Sequence, residues 1–254
     1  MGKQISIIIA TYNAARTLRK CLDSIVPQLT DEVELIIIDG ASKDETNRIV
    51  DSYGEKISIH ISEPDKGIYD AWNKGIKVSH GRWIGFIGSD DVMNFGALAK
   101  FLTIINDTPN IETYDYICAY NQFIDDNDRI LRRIGENPTW DKLRKGNCAA
   151  HVASLHNRIL FETIGLFNIN FKISADYELL VRKKEKFRPL FFEEYIMKMK
   201  VGGMSFSTQA LKEVYKIRKI HNTVPMLENV ILYFRDWIRF ELFIIKNKLQ
   251  GKSI

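Results

Sequence analysis

Short apolar segments alternate with helical patterns over residues 1–95, and this alternation restricts the fold of the chain more than any other feature. The segments with the composition of buried strands are residues 5–9, 33–38, 57–61 and 83–87. Apolar residues recur at helical spacing from Leu18 to Ile25 and over residues 67–78. Between them, Ser42 and Glu45 form a capping-box pattern, which predicts a helix that reaches about Tyr53. Strands and helices in this order predict the α/β class, with a mostly parallel sheet flanked by helices.

Acidic residues follow the second, third and fourth strand segments directly. They are Asp39, the pair Glu63 and Asp65, and the pair Asp90 and Asp91. Because ligands of open α/β sheets bind beyond the carboxyl ends of the strands, these side chains predict a site at one edge of the sheet. Adjacent carboxylates supply the hard oxygen ligands that Mg²⁺ and Mn²⁺ prefer. Taken alone, however, Asp90 and Asp91 suit the cap of the following helix better than a metal site.

The second half of the chain is less regular than the first. Residues 114–120 and 130–134 have the composition of strands, a helix opens near Asp176, and a long helical pattern begins at Thr223. The sequence contains no internal repeat, low-complexity tract or Gly/Ser-rich linker. It therefore offers no composition-based domain boundary.

Charge is divided unevenly along the chain. Residues 1–181 carry 20 Lys+Arg against 25 Asp+Glu, a balance of −5, whereas residues 182–254 carry 16 against 7, a balance of +9. From Lys212 onward, basic residues accompany bulky apolar ones such as Phe234, Trp237 and Phe243. This composition suits an interfacial amphipathic helix on anionic lipid, and it suits a helix packed on the rest of the protein equally well. The acidic first part and the lack of any recognition motif argue against nucleic-acid binding.

The sequence also predicts a cellular compartment. No stretch has the run of apolar residues that a secretory signal or a membrane-spanning helix requires. The cysteines Cys21, Cys118 and Cys148 are scattered and odd in number, which is typical of free thiols in a reducing compartment rather than of disulfides or a zinc site. We expect a cytoplasmic protein that is peripheral on the inner face of the plasma membrane.

Four motifs follow one another in the first 95 residues. They are IIIATYN at 7–13, DGASKDET at 39–46, EPDKGIYDAWNKGI at 63–76 and SDD at 89–91. In this order and spacing they closely resemble the family 2 glycosyltransferases of the GT-A fold. Segments 151–153, 175–179 and 202–205 resemble the acceptor-side half of that family, so the resemblance extends to about residue 207.

The resemblance implies a division of the chain. A GT-A domain would cover residues 1–207, with a Rossmann-like nucleotide-sugar half at 1–95 and an acceptor half at 96–207. A basic, amphipathic helical tail would follow at 208–254.

The resemblance also implies roles for individual residues in nucleotide-sugar binding. The matching positions are Thr11, Tyr12, Asn13, Asp39, Ser42, Asp65, Lys66, Gly67, Asp70, Asn73, Ser89 and Asp90. Within this set, Asp39 would contact the edge of the base, and the turn at Lys66 and Gly67 would reach over the donor sugar.

Three further positions are implied to carry the chemistry. Asp91 matches the last, metal-binding carboxylate of the DxD-type motif, and His151 lies where many relatives carry a His near the diphosphate or the metal, which would be Mn²⁺ or Mg²⁺. Asp176 matches the general base of inverting members, where one carboxylate takes the proton of the acceptor hydroxyl; a helix cap is the alternative interpretation. The sequence departs from the family pattern at Ser89, which replaces the first acid of the motif, and at Val152, where a Gln is common.

The function implied is an inverting glycosyltransferase that moves a hexose or N-acetylhexosamine from a UDP-sugar to a lipid-linked saccharide in surface polysaccharide synthesis. A sugar-nucleotide pyrophosphorylase of related fold is an alternative, but it would need a glycine-rich loop with basic residues after the first strand, where this chain has residues 11–15, TYNAA. A non-catalytic scaffold that binds nucleotide or lipid is a second alternative, and the presence of Asp91 and Asp176 argues against it.

Overall fold

A central β-sheet organises the protein, and the computed structural model describes residues 2–125, 129–200 and 207–249. The strands of these residues are β1 (Ile5–Thr11), β2 (Val33–Asp39), β3 (Ile59–Ser62), β4 (Trp83–Gly88), β5 (Val92–Met93), β6 (Tyr116–Ile124), β7 (Ile130–Ile134), β8 (Ser154–Asn157) and β9 (Pro189–Lys200). The helices are α1 (Leu18–Ile25), α2 (Thr46–Asp51), α3 (Ile68–Val78), α4 (Ala97–Asp107), α5 (Trp140–Leu143), α6 (Arg158–Ile164), α7 (Ala175–Val181), α8 (Thr208–His221) and α9 (Met226–Leu249).

The sheet has the order β3-β2-β1-β4-β8-β6-β9-β5, with β7 paired to β6. Strands β1 to β4 pair with one another in parallel, as the alternation of strands and helices predicts. Beyond β4 the sheet becomes mixed, because β8 runs antiparallel to both β4 and β6, and β5 and β7 also pair antiparallel. The α/β class is confirmed; β6 and β9 of the second half also pair in parallel, but only the first half has consecutive strands joined in an all-parallel arrangement.

Both faces of the sheet are buried, which explains the nearly continuous apolar sequence of its inner strands. In β1, Ile7 and Ile9 face one core, which α1 and α4 cover. Ile8 faces the other core, which α3, α6 and α7 cover together with aromatic residues such as Phe86 and Phe161. The result is a three-layer arrangement that leaves the strand ends free to form a site.

One predicted helix begins later than its sequence pattern suggests. Helix α2 starts at Thr46, not at Ser42, and its N-cap residue Glu45 makes no capping hydrogen bond through its side chain. Asp44 instead accepts a 3.0 Å hydrogen bond from the backbone N–H of Thr46. The capping-box prediction was wrong because the Ser42 side chain is engaged by Asp39.

The last two helices form a hairpin that packs on the rest of the protein through α8. Arg218 of α8 donates to Asn229 of α9 at 2.7 Å, and the Asn229 amide donates back to the carbonyl of Tyr215 at 3.1 Å. Helix α9 runs from Met226 to Leu249, and no helix in the described part of the chain combines the length and apolar character that crossing a membrane requires.

Candidate active site

The buried carboxylate of Asp39 joins the carboxyl ends of β1, β2 and β3. It accepts hydrogen bonds from Thr11 (2.9 Å), from Ser62 (2.7 Å), from the amide of Asn47 (3.2 Å), and from both the side chain (2.5 Å) and backbone (2.8 Å) of Ser42. Burial opposes ionisation of Asp39, but the hydrogen bonds from Ser42, Ser62 and Thr11 outweigh it and lower the pKa of the carboxyl group. Asp39 therefore carries a negative charge that fixes this edge of the sheet.

The loops after β1 and β2 are tied together by their own polar atoms. The backbone N–H of Asn13 donates to Ser42 at 2.8 Å, and the Asn13 side chain accepts from the backbone of Lys43 at 2.8 Å. Asn13 has φ of 46°, a left-handed conformation that Asn tolerates better than most residues. Beside this junction the ring of Tyr12 is largely exposed and open to a stacking partner.

The loop after β3 packs against the same edge. The Asp65 carboxylate lies against Gly40, where an added Cβ would stand 2.5 Å from Asp65 Oδ2 and 3.3 Å from the Tyr12 ring. Asp65 also accepts from the backbone N–H of Gly67 at 2.7 Å, and Asp70 accepts from that of Lys66 at 2.9 Å. The structure thus brings the predicted residues of this loop next to those of the first two loops.

Asn73 anchors helix α3 to the second half of the chain. Its amide nitrogen donates to the carbonyl of Phe167 at 2.9 Å, and its carbonyl oxygen accepts from the backbone N–H of the same residue at 3.0 Å. Both ends of this buried amide are therefore engaged inside the protein. The contact is one that positions α3, and nucleotide-sugar binding by Asn73 stays a prediction.

The end of β4 brings two carboxylates together over a glycine. A Cβ built on Gly88 would lie 3.0 Å from both Asp90 Oδ1 and Asp91 Oδ2, and Asp91 accepts a 2.9 Å hydrogen bond from the Gly88 backbone N–H. Asp90 is exposed and Ser89 is half-buried, whereas Asp91 is only 4% exposed. Burial and the neighbouring charge of Asp90 raise the pKa of Asp91 to about 8.

This carboxylate pair fits a divalent cation. Its donors are hard oxygen atoms, and a cation would relieve the burial and the repulsion that Asp91 experiences. The described residues hold no group of three or more His, Cys, Asp and Glu side chains that could bind a metal ion by themselves. A cation at Asp91 would take its remaining ligands from substrate and water, as Mg²⁺ usually does.

His151 lies in an aromatic cluster rather than in such a group. Its ring stacks on Phe86, with centroids 5.6 Å apart and planes at 8°, and contacts Trp72 at 5.0 Å. Both ring nitrogens are buried and have no hydrogen-bond partner among the described residues. Burial lowers the pKa of His151, and the negative charge of Asp176 partly opposes this shift. The imidazole is therefore neutral, and its role as a metal ligand stays a prediction.

Asp176 lies in the first turn of α7 and is only 9% exposed. Its Oδ1 is 3.0 Å from the hydroxyl of Tyr69, and its Oδ2 accepts from the amide of Asn147 at 3.2 Å. Tyr69 is the second residue of α3, directly after the loop that carries Lys66 and Gly67. Asp176 is thereby attached to the edge of the sheet that holds the predicted nucleotide-sugar residues.

The neighbouring acid Glu178 points elsewhere. It forms ion pairs with Arg182 and His221, and the His221 contact is 2.8 Å. Burial opposes the charge of Glu178, but its bonds to His221 and Arg182 dominate and lower its pKa. Glu178 is a structural partner of α8, which leaves Asp176 as the carboxylate of this turn that faces the site.

Two residues of the site were not identified from the sequence. Tyr69 lies within the motif at 63–76, where a role for it had no separate signal. Asn147 lies in an irregular segment 29 residues before Asp176, and no local pattern marks it. The predicted segment 202–205 lies outside the described residues.

Comparison with known proteins gives one family. A family model described as Glycosyl transferase family 2 matches residues 6–167. A PGL/p-HBAD biosynthesis glycosyltransferase of Mycobacterium bovis is 35% identical over 184 residues, which are 70% of this chain and 68% of the relative.

Solved structures show the same fold at low sequence identity. S. aureus TarS 1-349 in complex with UDP-GlcNAc is similar with a TM-score of 0.68 and 15% identity, covering 91% of this chain and 70% of that one. Glucosyl-3-phosphoglycerate synthase of Mycobacterium tuberculosis in complex with Mn²⁺ and UDP-Glc is similar with a TM-score of 0.62 and 16% identity. The match covers 88% of this chain and 80% of that one.

Proposed function

The chain belongs to glycosyl transferase family 2, and from this premise we propose that it is a metal-dependent, inverting transferase of a hexose or N-acetylhexosamine from a UDP-sugar to a saccharide acceptor. Its fold is the GT-A fold that the motifs predict. The proposal depends on one observation above all: Asp176, the only acid of its helical turn that faces the site, is bonded to Tyr69 directly behind the donor loop.

The donor half of the proposal is supported by the grouping of loops at the sheet edge. Tyr12, Asn13 and Asp65 lie together around Gly40, with the Asp39 carboxylate fixed beneath them. An exposed aromatic ring beside fixed polar groups suits a nucleobase, which can stack and hydrogen-bond at once. The two solved relatives described above were crystallised with UDP-sugars, which favours UDP for this chain.

Asp91 and Asp90 would hold Mn²⁺ or Mg²⁺ against the diphosphate. When bound, the cation would neutralise the charge that develops on the departing diphosphate. Asp176 would accept the proton of the acceptor hydroxyl while that oxygen attacks the anomeric carbon and the bond from this carbon to the diphosphate breaks. Tyr69 and Asn147 would orient the two oxygens of Asp176 for that transfer.

Substitution of the base tests this function. Asp176→Asn should lower kcat by at least about a hundredfold while the affinity for UDP with Mn²⁺ stays within about twofold, because only proton transfer is lost. Glu178→Gln is the matched control, since it removes a carboxylate from the same turn that faces α8. The folded fraction of the Glu178→Gln variant should keep the kcat of the parent protein. Turnover is measured as UDP release across a panel of nucleotide sugars, with a lipid-diphosphate acceptor. Turnover retained in Asp176→Asn would overturn the proposal.

We further propose that α9 places the enzyme on an anionic membrane surface, where a lipid-linked acceptor of surface polysaccharide synthesis would be met. Helix α9 carries an apolar stripe whose side chains are 51–75% exposed: Leu227, Ile231, Phe234, Ile238, Leu242 and Ile245. At 100° per residue, Arg235, Arg239 and Lys246 lie along one flank of this stripe. Apolar side chains flanked by cations are the composition of an interfacial helix.

Vesicle binding tests whether the apolar stripe of α9 binds an anionic membrane or another partner. The protein should sediment with vesicles of phosphatidylcholine and phosphatidylglycerol, less with phosphatidylcholine alone, and less at high salt. The double variant Ile231→Ser and Ile238→Ser should abolish binding, whereas Ile159→Ser, an equally exposed isoleucine on α6, should not. Dimerisation through α9 in solution without vesicle binding would assign the stripe to a second copy instead.

A further inference from the structure

Helix α8 supplies a buried carboxylate to the segment that precedes Asp176. Glu213 is 6% exposed and accepts three backbone hydrogen bonds, from Lys172 at 2.9 Å, Ile173 at 3.0 Å and Ser174 at 2.9 Å. These three N–H groups are consecutive and end at Ser174, the N-cap residue of α7. Glu213 thus ties down the backbone that leads into α7, up to and including its N-cap residue.

The backbone of Ile173 is held from two sides. Its N–H donates to Glu213, and its carbonyl oxygen accepts from Tyr69 at 2.6 Å. Ser174 makes no capping hydrogen bond with its own side chain, so the entry into α7 is held by the bonds that its backbone and that of Ile173 donate to Glu213. Tyr69 binds both this carbonyl and Asp176, which follows three residues later, so a shift of the Ile173 backbone would disturb the surroundings of the Asp176 carboxylate.

The same helix pair also holds the segment that carries Asn147. Arg218 donates to the carbonyl of Lys145 at 2.6 Å, and Thr223, in the turn after α8, donates to the carbonyl of Arg144 at 2.7 Å. Arg218 is almost completely buried. Both segments that contact Asp176 from the acceptor side are therefore fixed by residues 213–223.

From these contacts we propose that Glu213 is a positioning residue for Asp176, and that α8 is part of the catalytic unit rather than an appended tail. The inference rests on the proposed function, because it assigns to Asp176 the role of general base. No neutral side chain can replace a carboxylate that accepts from three N–H groups. In a Gln at this position, the amide NH₂ would point at a backbone N–H, and two donors would face each other. Removing the charge should let the Ile173 peptide rotate and displace the base.

Glu213→Gln tests the inference in the full chain. We expect kcat to fall roughly tenfold to a hundredfold, because small misplacements of a reacting group have effects of this size. The affinity for UDP and Mn²⁺ should stay within about twofold of that of the parent protein. The acidic limb of the kcat profile should also move along the pH axis, a change that loss of stability alone would not produce. Glu213→Asp, which keeps the charge, should recover part of kcat. Glu228→Gln on α9 is the matched control and should behave as the parent protein.

A double variant distinguishes this inference from the proposed function. In the Asp176→Asn background, Glu213→Gln should cause little further loss, because a positioning residue acts only through the base. Turnover retained in Asp176→Asn would refute the proposed function. Turnover lost in Asp176→Asn, together with an unchanged kcat and pH profile in Glu213→Gln, would refute only the role of Glu213. Should Glu213→Gln not fold, Thr223→Val removes the 2.7 Å bond to Arg144 and should show the same pattern more weakly.

Discussion

The hydroxyl of Tyr69 lies 3.0 Å from Asp176 Oδ1 and 2.6 Å from the carbonyl oxygen of Ile173, so one phenolic proton serves two acceptors. Burial and the charge of Asp176 raise the pKa of Tyr69 well above its ordinary value, which keeps that proton in place. If Asp176 takes up a proton, it can donate to the Tyr69 oxygen while Tyr69 donates to Ile173. The hydroxyl of Tyr69 can thus satisfy the Asp176 carboxyl group both with and without a proton.

We predict that Tyr69→Phe lowers kcat about tenfold and alters the pH profile of kcat. A hydrogen bond to a carboxylate stabilises its ionised form, and bonds to charged groups contribute about 1.5–3 kcal/mol. The ring contacts with Trp72 and Phe167 remain in the variant, so the fold should persist. The measurement is a pH–rate profile at saturating donor.

Tyr53→Phe is the matched control for that variant. Tyr53 also donates to a carboxylate, that of Asp23, at 2.7 Å, but this pair lies at a more exposed position between α2 and α1. The control should leave kcat and its pH profile unchanged. An identical profile for Tyr69→Phe and Tyr53→Phe would exclude a role of Tyr69 in tuning Asp176.

A second prediction concerns the metal-free protein and Asp91. With a pKa of about 8 when folded and about 3.9 when unfolded, Asp91 holds a proton in the native state that the unfolded chain has already released. Unfolding then releases a proton, so rising pH favours unfolding between about pH 4 and pH 8. Asp91→Asn does not titrate and escapes this penalty.

In the presence of a chelator, Asp91→Asn should therefore gain stability relative to the parent protein as the pH rises from 5 to 8. The gain is at most about 1.4 kcal/mol for each pH unit. Urea unfolding at several pH values measures it. A constant difference between the two proteins across this range would show that Asp91 is ionised throughout.

The parts of the molecule that the sequence predicted are those that depend on local patterns. Strands β1 and β2 appear as apolar runs, and the acids that follow strands, such as Asp39 and Asp91, are marked by their position. The GT-A fold and the family followed from motifs that are contiguous in the chain.

The parts that could not be predicted depend on packing between distant segments. Glu213 meets its three N–H partners 39 to 41 residues away, and Asn147 meets Asp176 across 29 residues, so neither carries a local signal. Strand β8 has only four residues, and its place between β4 and β6 is set by tertiary contacts. Ser42 misled the helix prediction because its hydroxyl is drawn to Asp39 across the loop.

A third prediction concerns stability alone. At the amino ends of the strands, opposite the site, the buried carboxylate of Glu34 accepts from Ser6 (2.5 Å) and from the backbone of His80 (2.5 Å) and Gly81 (3.2 Å). Burial opposes its ionisation, but the bonds from Ser6, His80 and Gly81 outweigh it and lower its pKa. Glu34→Gln should therefore destabilise the fold by about 1–3 kcal/mol at pH 7 and leave the KM for the donor unchanged.

The pH dependence of Glu34→Gln follows from the direction of that shift. A carboxylate whose pKa is lowered by folding stabilises the native state above its unfolded pKa, near 4.3, and loses this contribution as the pH falls through the folded value. The stability difference between parent and variant should thus shrink on acidification below about pH 4. Thermal melts in a series of buffers check this, and a difference that grows toward low pH would contradict it.

The last prediction uses the absence of a side chain at Gly88. A Cβ at this position would lie 3.0 Å from both Asp90 Oδ1 and Asp91 Oδ2, closer than ordinary van der Waals contact. Asp90 is exposed and can move away, but Asp91 is buried and cannot, so Gly88→Ala should separate the two carboxylates. We expect the affinity for UDP with Mn²⁺, measured by calorimetry, to fall about tenfold or more, as it does when metal ligands lose their orientation, with a small change in Tm.

Gly146→Ala, where an added Cβ meets no atom within 4 Å, is the matched control. Unchanged affinity in Gly88→Ala would mean that the cation does not bind between these carboxylates.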